Sequence, residues 1–90
     1  MSHPYLDIIN NSEHIIREFN EDLDQAELVW HRDREDRVVR ILEPGDGWKF
    51  QFEDELPFTI EPNMSISISK GEWHRVIKGL GTLKIQIFKH

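Results

Sequence analysis

The sequence predicts an all-β protein, and three observations support this prediction. From about residue 27 onward, short runs rich in β-branched and aromatic residues follow one another. Turn-forming residues separate these runs at regular intervals, most clearly at Pro44–Gly47. Residues 65–69 and 82–88 alternate apolar with polar side chains, as strands with one buried face do. About seven to nine such strands indicate a β-sandwich or barrel, and periodicity alone does not choose between them.

The individual strands can be assigned in chain order from about residue 27. Residues 27–34 and 37–42 are predicted to form a hairpin that turns at the polar pair 35–36. The later strands are predicted at 48–52, 57–60, 65–69, 73–78 and 82–88, with turns at 53–55, 61–63, 70–71 and 79–81.

Residues 1–27 are predicted to form an N-terminal strand or a short helix, packed on the barrel of residues 28–90 or on a partner subunit. Ile15, Phe19 and Leu23 recur every four residues, which suits a helix. Residues 15–19 also suit an edge strand, and we favour the strand. Because 90 residues make a small single domain, pairing with a second copy would add buried core. We therefore expect a homodimer.

Composition and charge exclude several classes of protein. The net charge of −6 argues against nucleic acid as a partner, because affinity for phosphate backbones depends on basic residues. The absence of cysteine excludes disulfides and thiolate metal sites. No signal peptide and no apolar run long enough to cross a membrane is visible. We therefore expect a cytoplasmic protein. We also expect its partner to be a small molecule and not a nucleic acid or a membrane.

Two histidines and an aspartate form the candidate metal site. In a strand, His31 and Asp33 would point to one face because side chains alternate with period two. In the predicted hairpin, Asp33 would face Val38 and His31 would face Arg40. If the fold brings His74 to this face, two imidazoles and one carboxylate meet. Such a set suits a divalent ion and leaves coordination positions open.

The segment 63–74 resembles the second sequence motif of the cupins, G-x5-P-x-G-x2-H. Gly71 and His74 match this motif in identity and spacing. Asn63 stands where the motif has its first glycine, and Ser69 stands where it has proline.

An upstream segment resembles the first cupin motif, H-x-H-x3,4-E-x6-G. His31 and Gly45 match it, and Asp33 replaces the second histidine. The glutamate has become Val38, or Arg37 in the shorter register. The predicted hairpin favours Val38 at this position.

The resemblance implies a cupin-type jelly-roll barrel, also called a double-stranded β-helix. It also implies one divalent metal ion (Fe, Mn, Ni or Zn) held by His31, Asp33 and His74. The expected function is that of a small metal-binding cupin, acting as a mononuclear metal oxygenase or isomerase on a small polar metabolite. Four further residues are predicted to contact the substrate: Gln51 as a hydrogen-bond donor, Arg40 and Arg75 for an anionic group, and Trp73 for stacking. Arg37 is a third arginine that could hold the anionic group.

Two other functions stay open at this point. In the first, the barrel is a non-catalytic module that holds a metabolite without metal, and the histidines donate hydrogen bonds. In the second, a histidine–aspartate pair abstracts a proton next to a carbonyl group without metal. That second reaction needs an acid partner, and the only tyrosine is Tyr5, near the N-terminus.

Overall fold

The computed structural model describes residues 5–89 of the chain and confirms the all-β prediction. Its strands are β1 (Leu6–Asn10), β2 (His14–Phe19), β3 (Arg37–Glu43), β4 (Lys49–Phe52), β5 (Phe58–Thr59), β6 (Ser65–Ile68), β7 (His74–Ile77) and β8 (Leu83–Lys89). The one helical segment among these residues is a 3-10 turn at Gln25–Glu27. No helix in the described range is long and apolar enough to span a bilayer.

The strands form two antiparallel sheets that pack face to face as a jelly roll. One sheet has the order β1-β2-β8-β3-β6, and the other has the order β5-β4-β7. Alternation places rows of apolar residues between the sheets, as in β6, where Ile66 and Ile68 are buried and the serines are exposed. The same pattern buries Leu83, Ile85 and Ile87 of β8.

Residues 5–27 form β1, β2 and the 3-10 turn, so the four-residue spacing does not form a helix. Residues 1–4 of the predicted N-terminal segment lie outside the described residues. Ile15 and Phe19 are buried in β2, which lies between β1 and β8. The spacing of four that suggested a helix also fits a strand, because residues an even number apart share one face. Arg17 therefore points to the same side as these two residues, toward the interior.

The hairpin predicted at 27–42 does not form. β3 pairs with β8 on one side and with β6 on the other, so neither edge is available to residues 28–34. Val38 faces Ser67 and Phe88 across these strands, and not Asp33. The predicted pairing of His31 with Arg40 is wrong for the same reason.

Two positions of the second motif have a left-handed backbone. The φ angles are +63° at Asn63 and +79° at Gly71. Glycine adopts this conformation without steric cost, and asparagine is one of the few other residues that tolerates it. This geometry explains why asparagine can replace the first glycine of the motif.

Gly79 lies where two loops approach closely. The indole of Trp48 is fully buried, and its Nε1 donates a hydrogen bond to Leu80 O over 3.0 Å. Asp46 and Leu80 form an isolated antiparallel bridge beside it. A methyl group added at Gly79 would contact Trp48 N and lie 2.5 Å from Asp46 O. Both are backbone atoms, so a side-chain movement cannot relieve the clash.

We expect Gly79→Ala to lower the free energy of unfolding by about 3 kcal/mol, the upper part of the range for overpacking. Chemical denaturation measures this loss. Gly71→Ala is the control, because its Cβ would meet nothing within 4 Å and only the left-handed backbone is strained. It should cost about 1 kcal/mol. Equal losses in the two variants would contradict the steric explanation.

Candidate metal centre

Residues 25–36 lie antiparallel to residues 70–78 and bring the two motifs together. His31 N donates to His74 O over 3.0 Å, and His74 N donates to His31 O over 2.9 Å. Further along, Gly71 N donates to Asp33 O over 2.9 Å. Lys70 N donates to the side chain of Asp36, Oδ1, over 2.8 Å. The first motif is thus fixed onto the second by backbone contacts that do not depend on a regular strand.

Gln25 extends this contact beyond the motifs. Its Oε1 accepts a hydrogen bond from Lys78 N over 2.6 Å, and its Nε2 lies 3.3 Å from Val76 O. The side chain therefore pairs with the backbone of Val76 and Lys78, at the end of β7, as a neighbouring strand would. No local pattern in the sequence indicates this contact of Gln25.

Three side chains of the two motifs converge on one point. His31, Asp33 and His74 each offer a ligand atom, and these atoms all lie within 4.8 Å of one another. His74 Nε2 lies 3.5 Å from Asp33 Oδ2, and the two imidazole rings are 4.1 Å apart at their centroids. The structure brings together the three residues that the sequence analysis named.

The ring of His74 is held in a single orientation. Its Nδ1 lies 2.8 Å from Glu72 O, which can only accept a hydrogen bond. This contact places a proton on Nδ1 and leaves a lone pair on Nε2 in the neutral ring. Phe50 stacks on the ring at 5.6 Å, and His74 as a whole is only 3% exposed. Its Nε2 therefore points at Asp33 as a preformed ligand atom.

Burial lowers the pKa of His74 below its usual value. Removal from water is the largest cause, because it disfavours the cationic ring. The hydrogen bond to Glu72 opposes this shift, His31 adds to it, and the carboxylates of Asp33 and Glu72 oppose it. The net result favours the neutral imidazole, which is the form that binds metal ions.

Arg37 stands where the first cupin motif has glutamate. Its Nη1 lies 3.4 Å from Asp33 Oδ1, and its Nη2 lies 3.6 Å from Glu35 Oε1. Val38 points to the opposite side of β3, since Arg37 and Val39 line the interior. The shorter register of the motif is therefore correct, and the prediction that Val38 occupies this position is wrong.

A cavity of about 440 Å³ opens beside the three side chains. Its lining residues are Tyr5, Arg17, Phe19, Glu27, Leu28, Val29, His31, Asp33, Arg37 and Val76. A smaller void of about 40 Å³ lies deeper, and His74 and Phe50 border it together with His31 and Asp33. The cluster thus lies between an open cavity and the apolar core.

None of the four residues predicted to contact a substrate lines this cavity. Trp73 and Arg75 flank His74 in sequence, so the strand pleat points them outward when His74 points inward. Arg75 Nε donates to Gln51 Oε1 over 2.9 Å, which places Gln51 on the same outer face. Arg40 is exposed on the outer side of β3. The structure thus places these four residues outside this cavity, and their contact with a substrate stays a prediction.

Two arginines do line the cavity, namely Arg17 and Arg37. Arg37 is one of the three arginines considered for an anionic group of the substrate, whereas Arg17 was not predicted. A sequence signal for Arg17 existed. It stands between Ile15 and Phe19 at even spacing, so a strand that buries those residues also turns Arg17 inward.

No protein-family model matches the chain, and no curated protein matches its sequence. Among solved structures, a cupin domain from Bordetella pertussis aligns with a TM-score of 0.62 at 19% identity. The alignment covers 100% of this chain and 98% of that one. The chain has the cupin fold.

Two longer proteins show the same likeness. Hydroxypropylphosphonic acid epoxidase from S. wedmorenis aligns with a TM-score of 0.68 at 13% identity, over 96% of this chain and 49% of that one. KdgF from Halomonas sp. aligns with a TM-score of 0.66 at 12% identity, over 94% of this chain and 77% of that one. At such identities the likeness to these cupins concerns the fold alone.

The lowered pKa of His74 predicts how stability depends on pH in metal-free protein. Below about pH 6.5 the unfolded chain takes up a proton at this histidine, while the folded chain resists it. The contribution of neutral His74 to the free energy of unfolding is therefore fully present above about pH 6.5. It is lost as the pH falls through the pKa of His74 in the folded protein. Urea denaturation in EDTA between pH 7.5 and 5 measures this decrease.

His74→Gln should remove this part of the pH dependence, because glutamine does not titrate. His14→Gln, on the outer side of β2, is the matched control and should keep the slope of the wild type. An unchanged slope in His74→Gln would contradict the assignment.

Proposed function

We propose that the protein binds one divalent metal ion through His31, Asp33 and His74. In this proposal it acts on a small polar metabolite as a mononuclear metal oxygenase or isomerase. The observation that carries the proposal is the convergence of the three ligand atoms within 4.8 Å, although they come from distant parts of the sequence. Two imidazoles and one carboxylate leave positions for substrate on an ion of this class.

The spacing of the donors fits a shared ion. Ligand atoms about 2.0–2.2 Å from one ion lie roughly 3–3.5 Å apart. His74 Nε2 and Asp33 Oδ2 are 3.5 Å apart, so these two atoms need little movement to bind together. His31 is exposed and borders the cavity, and its ligand atom lies within 4.8 Å of the other two.

The charge distribution also favours a cation at this point. With a proton on Nδ1, the neutral ring of His74 directs a lone pair toward the carboxylate of Asp33. Two acceptors that face each other in a buried place are unfavourable unless a proton or a metal ion lies between them. A divalent ion bound by both atoms would satisfy this pair, and the neutral ring that burial favours is the form that binds such an ion.

The donor set does not choose a single ion. Neutral imidazole and carboxylate suit Fe(II), Mn, Ni and Zn. When bound, such an ion would supply Lewis acidity or oxygen activation. The epoxidase of this fold has been solved with Fe(II), which makes iron the first ion to test here. The chain's own residues would orient the substrate and limit the access of water.

A binding module without metal is the second candidate. The ion pair of Asp33 with Arg37 at 3.4 Å favours it, since this contact balances the carboxylate when no metal is present. In that case ligand affinity would be unaffected by EDTA. The same treatment should abolish ligand binding if the metal proposal is correct.

The expected homodimer is also a proposal. β1 lies at the edge of the five-stranded sheet, and Leu6, Ile8 and Ile9 are exposed on it. A second copy could cover these side chains and pair with the open edge. Light scattering should therefore give twice the chain mass.

Ile8→Lys should shift the mass toward the monomer, because it places a charge in the proposed contact. Leu56→Lys, at an exposed position in the turn before β5, should leave the mass unchanged. A monomeric wild type would contradict the homodimer.

Metal content tests the central proposal. Untagged protein reconstituted with Fe(II), Mn, Ni or Zn should hold close to one ion per chain by plasma mass spectrometry. His74→Ala and Asp33→Ala should each lose it after dialysis, since each removes a ligand atom from a set of three. His14→Ala is the control for removal of a histidine and should retain the ion.

Two outcomes would contradict the proposal. Wild type without metal after reconstitution would favour the metal-free binding module. Equal retention by the wild type and by Asp33→Ala would remove Asp33 from the ligand set. A loaded wild type should next be screened for oxygen consumption.

A further inference from the structure

The two arginines in the cavity differ in how completely they are bound. Arg17 makes a bidentate contact with Asp7, at 2.8 Å from Nε and 3.3 Å from Nη2. Its guanidinium also lies 3.7 Å from the centre of the Tyr5 ring. Asp7 neutralises the charge of Arg17 and holds its donors. Arg17 is therefore a wall of the cavity and has little capacity for another anion.

Arg37 has no comparable partner. Its contacts with Asp33 and Glu35, at 3.4 and 3.6 Å, exceed the usual length of a charge-assisted hydrogen bond. Its Nε is buried and hydrogen-bonds to no residue in the described part of the chain. The guanidinium faces the cavity, and 21% of the side chain is exposed. It therefore keeps donors for a ligand.

Asp33 connects Arg37 to the candidate metal centre. One of its carboxylate oxygens, Oδ1, faces Arg37, and the other, Oδ2, faces His74 Nε2. A metal ion would take over the charge of Asp33 and weaken its attraction for Arg37. Arg37 would then be a cation next to the metal centre without a full counter-charge.

The rest of the cavity narrows the class of ligand. Phe19, Leu28 and Val76 give it an apolar wall. Its charged lining residues, Arg17, Glu27, Asp33 and Arg37, balance to zero, and the acids Asp7 and Glu35, which pair with the two arginines, make the site negative without an ion. A divalent ion would offset this negative charge, so an anion should bind only after the ion. The volume of about 440 Å³ lies in the lower part of the range for small-molecule pockets.

We propose that Arg37 binds the carboxylate of a small, short-chain organic acid in this cavity, with a second oxygen of the acid directed to the metal centre. The inference rests on the proposed function, because the acid needs the ion as its second anchor. Among the three arginines considered from the sequence, Arg37, Arg40 and Arg75, it names Arg37 as the residue that selects an anionic ligand.

The experiment compares two probes that differ by one charge. Malonate carries two carboxylates, and monomethyl malonate carries one. Calorimetric titration of Co(II)-loaded protein should show that malonate binds more tightly. Arg37→Gln should weaken malonate binding roughly 10- to 100-fold, since a hydrogen bond to a charged group of the usual strength corresponds to that factor. Monomethyl malonate should be affected much less.

Arg40→Gln is the matched control. Arg40 belongs to the same strand but is exposed on its outer side, and its replacement changes the net charge equally. The Arg40→Gln protein should bind malonate with the same affinity as the wild type. Arg37→Gln should still bind Co(II), because the change removes a positive charge beside Asp33. The metal content of this variant therefore distinguishes loss of the anion site from loss of the metal site.

Each result decides between the proposals. Full metal content with equal malonate affinity in Arg37→Gln and Arg40→Gln would overturn the role of Arg37 and leave the metal centre standing. Malonate binding of equal strength in EDTA would overturn the dependence on the ion. A wild type that takes up no Co(II) and no other divalent ion would overturn both proposals.

Discussion

The candidate site depends on the pair of backbone hydrogen bonds between His31 and His74. These bonds, 3.0 and 2.9 Å long, place the two residues directly opposite each other in antiparallel register. The pleat then points both side chains to one side of the pair, so this register alone brings the two imidazole rings together. Asp33, two positions after His31, reaches the same side and is fixed by its carbonyl contact with Gly71. One local register thus assembles all three ligand atoms.

The outer side of the same register explains the aromatic residues of the motifs. The guanidinium of Arg75 lies 4.6 Å from the ring centre of Trp30. The guanidinium of Arg32 lies 5.0 Å from the ring centre of Trp73. Each pair joins the two segments across the register, with a stabilisation of about 0.5–1 kcal/mol at an exposed place. The two tryptophans thus help to hold together the segments that carry His31 and His74. This role differs from the stacking on substrate that the sequence suggested for Trp73.

The sequence predicted what depends on short-range patterns and missed what depends on competition between distant segments. Alternation in 65–69 and 82–88 identified β6 and β8, because the period of two is visible within each strand. The hairpin at 35–36 failed because both edges of β3 are occupied by strands from later in the chain. No local feature reveals that competition. The same error placed Arg40 near His31 and Val38 at the motif position that Arg37 occupies.

The central claim is that this one register creates a binding site for a divalent metal ion. Anomalous diffraction from crystals of the zinc-loaded protein, recorded on both sides of the zinc absorption edge, tests it most directly. The structure predicts one strong peak per chain, within bonding distance of His31, Asp33 and His74 Nε2. A zinc peak elsewhere on the molecule, with these three side chains in contact only with each other, would contradict it.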